Sequence, residues 1–287
     1  MYLRDGVTPP PPGQIQHALF DFDGTLSLLR AGWQEVMTQY FDEVLASTST
    51  SESAASRQQV CVDFITRLTG RQTIFQCMEL ADQVEKRGGT AQPAEDYKAE
   101  YLRRLHIHIE HRRTAIRQGG DPGPYLVPGT LELLDRLQAQ GIRCYLASGT
   151  DVAYVREEAD LLGVTRYFAE PGKPPRIYGA LEDFRKFSKR MVIEQILTET
   201  RLEGSALIGF GDGYVEIEET LRAGGWAVGI ASDETHVDGT AGDEAGTRVP
   251  GMDPWKQERL WEVGAHILTP NWLECDVLFD CLGVGID

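Results

Sequence analysis

Two hydrophobic periods divide this chain. From Ala31 to about Arg117, apolar positions recur every three or four residues, as in Trp33, Val36, Met37, Tyr40, Phe41, Val44 and Leu45, the spacing that lines one face of a helix. The stripe returns at Phe64, Ile65 and Leu68, at Ile74, Met78 and Ala81, and at Tyr97, Tyr101 and Leu105, which predicts a helical module. A loop rich in Ser and Thr lies inside it at 46–57, Gly70-Arg71-Gln72-Thr73 interrupts it, and the Gly- and Pro-rich run from Gly119 to Pro124 reads as a hinge. From Tyr125 onward short apolar strands alternate with amphipathic helices, the texture of a parallel sheet covered on both faces. The pattern predicts helices at 131–140, 152–162 and 190–200, and strands at 142–147, 167–168, 206–210, 226–230 and 265–268.

Polar residues gather where these strands end. The apolar run His17-Ala18-Leu19-Phe20 closes on Asp21-Phe22-Asp23-Gly24-Thr25. Two carboxylates one residue apart at the end of a buried strand cost desolvation and mutual repulsion, which points to a cationic or phosphorylated ligand. The strand at 142–147 ends in Ser148-Gly149-Thr150, and that at 206–210 in Gly211-Asp212-Gly213, with Glu216 following. Lys189 opens the preceding helix, while Lys186, one turn earlier, is a second candidate for the ammonium that reaches the crevice. Thr150 and Asp151 are placed to cap the next helix, leaving the Ser148 hydroxyl free. Open parallel sheets bind ligands beyond the carboxyl ends of their strands. Carboxylates, one hydroxyl and one lysine at that edge suit a hard divalent cation beside a phosphoryl group, with Mg²⁺ the natural candidate.

Composition narrows the partners. With 28 basic and 44 acidic side chains the formal charge is −16, which argues against a nucleic-acid surface and against docking on anionic membranes. No apolar run approaches the roughly 20 residues that span a bilayer. The proline-rich segment 1–13 reads as a loose leader without a secretory apolar core, so a cytoplasmic protein is expected. Five scattered cysteines with no CxxC fit reduced thiols. His106, His108, Glu110 and His111 read as a solvated helix face rather than a metal site. The Gly- and Asp-rich stretch from His236 to Asp253 is either disordered or borders the site.

The four polar clusters resemble the motifs of the haloacid dehalogenase-like hydrolase superfamily, mostly aspartate-based phosphatases. Asp21-Phe22-Asp23-Gly24-Thr25 looks like the first motif, Tyr145-Leu146-Ala147-Ser148-Gly149 like the second, Lys189 like the third, and Gly211-Asp212-Gly213-Tyr214-Val215-Glu216 like the fourth. Lys189 and Asp212 stand 23 positions apart, room for a helix and a strand. The resemblance implies an α/β fold: a Rossmann-like, doubly wound parallel sheet at 14–27 and 126–287, with an all-helical C1-type cap inserted at 28–125. It implies that Asp21 attacks phosphorus to form an aspartyl-phosphate and that Asp23 serves as acid and then base. Ser148, Gly149 and Lys189 would bind the phosphoryl group, and Asp21, Asp23 and Asp212 would hold Mg²⁺. Glu216 stands where aspartate is more usual and would support the metal's waters or orient Lys189. An acid at position 23 favours phosphate-ester chemistry over dehalogenation, so a small phosphorylated metabolite is the expected substrate. Hydrolysis, transfer as in phosphomutases, and a non-catalytic binding protein are the three readings, in that order. Arg30 and Arg71 are the candidate substrate contacts, because guanidinium pairs bidentately with carboxylate or phosphate.

Overall fold

The computed structural model describes residues 1–49, 51–234, 237 and 251–283; apart from Val237 and residues 251–253, the acidic stretch 236–253 lies outside the described residues. The chain pairs β1 (Tyr2–Leu3), β2 (His17–Phe20), β3 (Arg143–Asp151), β4 (Ile177–Ala180), β5 (Leu207–Gly211), β6 (Trp226–Ile230) and β7 (Ile267–Thr269) into one sheet. Its order is β1-β7-β6-β5-β2-β3-β4, and every pairing is parallel except that of β1 with β7. From β2 the chain builds outward to β4, then returns to β5 and builds toward the other edge. A crevice therefore opens beyond the carboxyl ends of β2, β3 and β5, where the direction of winding reverses. The central strands are buried on both faces, which is why they read as continuous apolar runs. Phe20 and Phe210, from adjacent strands, stack at 4.5 Å between ring centroids.

Between β2 and β3 the chain forms α1 (Trp33–Ala46), α2 (Ala54–Arg67), α3 (Thr73–Lys86) and α4 (Ala94–Arg117). Their apolar stripes pack into a cluster of their own, with Phe41 stacked on Phe64 at 5.7 Å, while Ile116 near the end of α4 joins the sheet's core. Acidic Glu95 and Asp96 in the first turn of α4 and Arg117 in its last complement the helix dipole. The sheet is covered by α5 (Thr130–Ala139), α6 (Val152–Leu161), α7 (Thr165–Phe168), α8 (Lys189–Thr200), α9 (Tyr214–Arg222), α10 (Pro254–Glu262) and α11 (Cys275–Cys281). No described helix is long and apolar enough to cross a membrane.

Several local expectations are corrected. Tyr167-Phe168 closes α7 instead of forming a strand, and the strand of that region is β4, ten residues on. An aromatic pair has no readable period, and here both rings are buried in the core from a helical turn. The segment predicted to be a loose leader contributes β1, with Tyr2 opposite Leu268 and Leu3 opposite Ile267. The Arg4 guanidinium donates to Ala265 O and lies over the Trp261 ring. Strand β3 extends to Asp151, so Ser148, Gly149 and Thr150 lie within it rather than past its end. On α4, His106 and His108 are half-buried rather than solvated, His106 against the Tyr154 ring and His108 against Ala31 O.

Candidate active site

Strand β2 ends in a turn organised around one carbonyl. The amides of Thr25, Leu26 and Ser27 all donate to Phe22 O, and the chain reverses through Gly24 at φ +72°. A Cβ on Gly24 would lie 2.1 Å from Asp212 Oδ2, so backbone conformation and close approach both require glycine. Three ties fix this turn to other segments. The Asp212 amide donates to Thr25 Oγ1 at 3.1 Å, the Trp272 indole to Thr25 O at 2.8 Å, and the Ser232 hydroxyl to Gly24 O at 2.6 Å.

Asp21 is buried, with its amide held by Phe210 O of β5. Its carboxylate lies 3.0 Å from the ammonium of Lys189, the first residue of α8, whose N-cap Ser188 accepts from the Met191 amide. The same ammonium contacts Glu216, buried in the first turn of α9. Lys186 is instead exposed, 3.6 Å from Asp183. Burial raises the Asp21 pKa, opposed by Lys189.

Asp23 is partly buried and accepts from the Thr150 hydroxyl at 3.0 Å. Thr150 is thus turned into the crevice, and α6 has no side-chain cap, contrary to the capping role expected of Thr150 and Asp151. Burial pushes the Asp23 carboxyl up to about 7, against the pull of the Arg30 guanidinium 3.8 Å away. Arg30 is itself buried and bound bidentately by Glu158, both contacts at 2.8 Å, so its charge is largely committed within the protein. The sequence places Thr150 as a cap rather than a site residue, and Glu158 escaped the sequence reading although it carried a signal: it occupies an apolar position in the stripe Val155, Ala159, Leu162.

Ser148 is buried and accepts from the Thr150 amide at 3.1 Å, leaving its own hydroxyl proton to donate. A Cβ on Gly149 would lie 2.6 Å from Arg71 O, so this glycine lets the loop between α2 and α3 close over β3. One cavity is lined by Asp21, Asp23, Ser148, Gly149, Lys189 and Asp212 from the core, and by Trp33, Met37, Arg71 and Tyr101 from the helical insertion. Arg71 is exposed at its margin, its Nε donating to the Tyr214 hydroxyl at 3.1 Å.

The donor set suits a small hard cation. No group of three or more His, Cys, Asp or Glu side chains forms a metal cluster among the described residues. Asp21 and Asp212 line one cavity beside the Gly24 turn, and an ion held by two carboxylates keeps its remaining positions for other oxygens, water and substrate, as Mg²⁺ prefers.

A family model described as haloacid dehalogenase-like hydrolase matches residues 15–224. No curated protein sequence matches the chain. Among solved structures, a predicted phosphoglycolate phosphatase from Haemophilus somnus is 13% identical, with 92% of this chain and 98% of that one covered at a TM-score of 0.57. A β-phosphoglucomutase from Clostridium difficile is 13% identical, covering 93% and 97% at 0.58. A hydrolase of this family from Deinococcus radiodurans, with bound phosphate and sodium, is 16% identical, covering 93% and 96% at 0.52. At these identities the likeness is one of fold.

Proposed function

The chain belongs to the haloacid dehalogenase-like hydrolases, and we propose that within them it is a Mg²⁺-dependent phosphatase of small phosphate monoesters, acting through an aspartyl-phosphate. The observation that carries this reading is the convergence on one cavity of Asp21, Asp23, Ser148 and Lys189 from three separate segments of the core. In the first step an Asp21 carboxylate oxygen attacks phosphorus, the bond to the ester oxygen breaks, and Asp23 gives that oxygen its proton. A carboxyl raised to about 7 still holds a proton to donate near neutrality. In the second step Asp23, now a carboxylate, takes a proton from the attacking water, and the bond from phosphorus to Asp21 breaks. Ser148 and the Gly149 amide donate to phosphoryl oxygens, and Lys189 neutralises them as charge spreads over those atoms. Glu216 holds the Lys189 ammonium in place. Asp21, Asp212 and the Asp23 carbonyl would hold Mg²⁺, which when bound would supply neutralisation of the phosphoryl charge. Phosphate in the Deinococcus neighbour supports a phosphate-binding crevice. Arg71, exposed and lining the cavity margin, is the cap group best placed to meet the leaving portion of the substrate, whereas Arg30 acts through Asp23. Five free thiols support a reducing, cytoplasmic setting.

The test is phosphate release from para-nitrophenyl phosphate and a panel of phosphorylated metabolites, with and without Mg²⁺. Metal-dependent release lost in Asp21→Asn is expected; a folded, metal-loaded chain that releases none contradicts the reading. A sugar bisphosphate in the panel separates hydrolysis from transfer by its products.

A further inference from the structure

Against Asp212 stands a buried cation that the proposed chemistry does not use. Lys256 lies in the first turn of α10, where the N-cap Asp253 accepts from the amides of Trp255 and Lys256. Its side chain is 7% exposed, and its ammonium lies 2.8 Å from Asp212 Oδ2, donates to Ser232 Oγ at 3.1 Å and contacts the Glu234 carboxylate. Ser232 in turn donates to Gly24 O, so the ammonium is wired both to Asp212 and to the Asp21–Asp23 turn. A buried ammonium is costly unless its charge is answered. Here each ammonium is shared by two carboxylates, Lys189 by Asp21 and Glu216 and Lys256 by Asp212 and Glu234, so none of the four holds a lysine to itself.

We infer that Lys256 is an internal counter-cation of the metal centre, a positioning residue that holds the Asp212 carboxylate in place without the divalent ion and competes with that ion for it. Glu234 is the carboxylate to which the ammonium is left when Asp212 turns to the metal. The inference rests on the reading of Asp212 as a metal ligand. It differs in sign from a merely structural role: disrupting a site weakens metal binding, whereas removing a competing charge strengthens it.

The experiment is calorimetric titration of the metal-stripped full chain with Mg²⁺, paired with thermal unfolding in EDTA and in saturating Mg²⁺, for wild type, Lys256→Met, Lys256→Arg and Asp212→Asn. Lys256→Met is expected to bind Mg²⁺ about tenfold more tightly, from the repulsion between like charges a few ångströms apart. It is also expected to melt below wild type in EDTA, with the gap narrowing in Mg²⁺. Lys256→Arg, which keeps the charge, is expected to return affinity toward wild type. Equal or weaker Mg²⁺ binding by folded Lys256→Met overturns the inference. Should Lys256→Met not fold, the ¹⁵N resonance of the Lys256 ammonium in wild type, assigned with Lys256→Arg, decides: movement as Mg²⁺ saturates supports the competition, and a stationary resonance overturns it. Wild type and Asp212→Asn that both bind no Mg²⁺ overturn the metal reading itself, and this inference with it.

Discussion

Asp23 concentrates the chemistry of single residues. Its carboxyl is pushed from 3.8 up to about 7, first by burial and then by Glu158 and Asp21, against the Arg30 guanidinium. Only the protonated form can donate to a leaving oxygen, so kcat/KM for an alkyl phosphate is predicted to fall as pH rises through about 7. Para-nitrophenyl phosphate, whose leaving group needs no proton, is predicted to show a shallower fall in the same assay. The shift also carries a stability consequence. A raised folded-state pKa means that the folded chain holds the proton more tightly, so stability falls as pH rises from 3.8 toward about 7, with the full cost present above that. Asp23→Asn removes this cost, and thermal unfolding in EDTA is predicted to show the variant gaining on wild type between pH 5 and pH 8. At this scale the sequence pointed to Asp21, Asp23, Ser148, Lys189 and Asp212, which line one cavity, because each follows a run of apolar residues or opens a helix. Glu234 and Lys256 were invisible because their partner, Asp212, is distant in the chain and no motif connects them.

Elements place these side chains by their faces. The stripe of α6 that buries Val155 and Ala159 also buries Glu158, which holds Arg30 beside Asp23. Glu158→Gln leaves a buried guanidinium without its carboxylate and is predicted to cost about 3–5 kcal/mol in denaturant unfolding. The same change removes a charge that raises the Asp23 pKa, so the alkaline limb of the pH profile is predicted to move to lower pH. On β3, Gly149→Ala places a Cβ against Arg71 O and is predicted to lower kcat/KM roughly tenfold or more by displacing the cap loop, as a misplacement of about 1 Å can do. Period read well where elements are long: the stripes of α1 to α4 and the apolar runs of β5 and β6 were evident. It failed for α7, four residues long, and for β1, whose two residues are held by pairing with β7 rather than by their own pattern.

Across the whole molecule, the helical insertion has an apolar core of its own and meets the rest of the chain through Ile116, which joins the sheet's core, the Phe75–Phe184 ring contact and a set of polar ties. The Gln72 amide donates to Phe184 O at 2.8 Å and Phe187 O at 2.9 Å, just ahead of Lys189, and Arg259 of α10 donates to Thr66 O at 2.8 Å. Lys98 pairs with Asp151 at 2.5 Å, and Arg117 with Glu157 at 2.7 Å. Two cores joined by such contacts can part without unfolding either, the behaviour expected of a cap that opens for substrate and closes to exclude water. Gln72→Ala is predicted to speed hydrogen exchange at 69–73 and 184–189, with little change in exchange within the buried strands. The change of texture at Tyr125 made the insertion legible, but the ties that close it join residues distant in the chain, Gln72 and Phe187 standing 115 positions apart, which periodicity does not reach. The central claim is that Asp21 carries the phosphoryl group. Its most direct test is acid quenching of wild type and Asp21→Asn during turnover of a phosphate ester with Mg²⁺, followed by proteolysis and mass spectrometry. A phosphoryl group on the wild-type peptide containing Asp21, absent from the variant, is the predicted result; turnover that leaves that peptide unmodified, or persists in Asp21→Asn, contradicts the account.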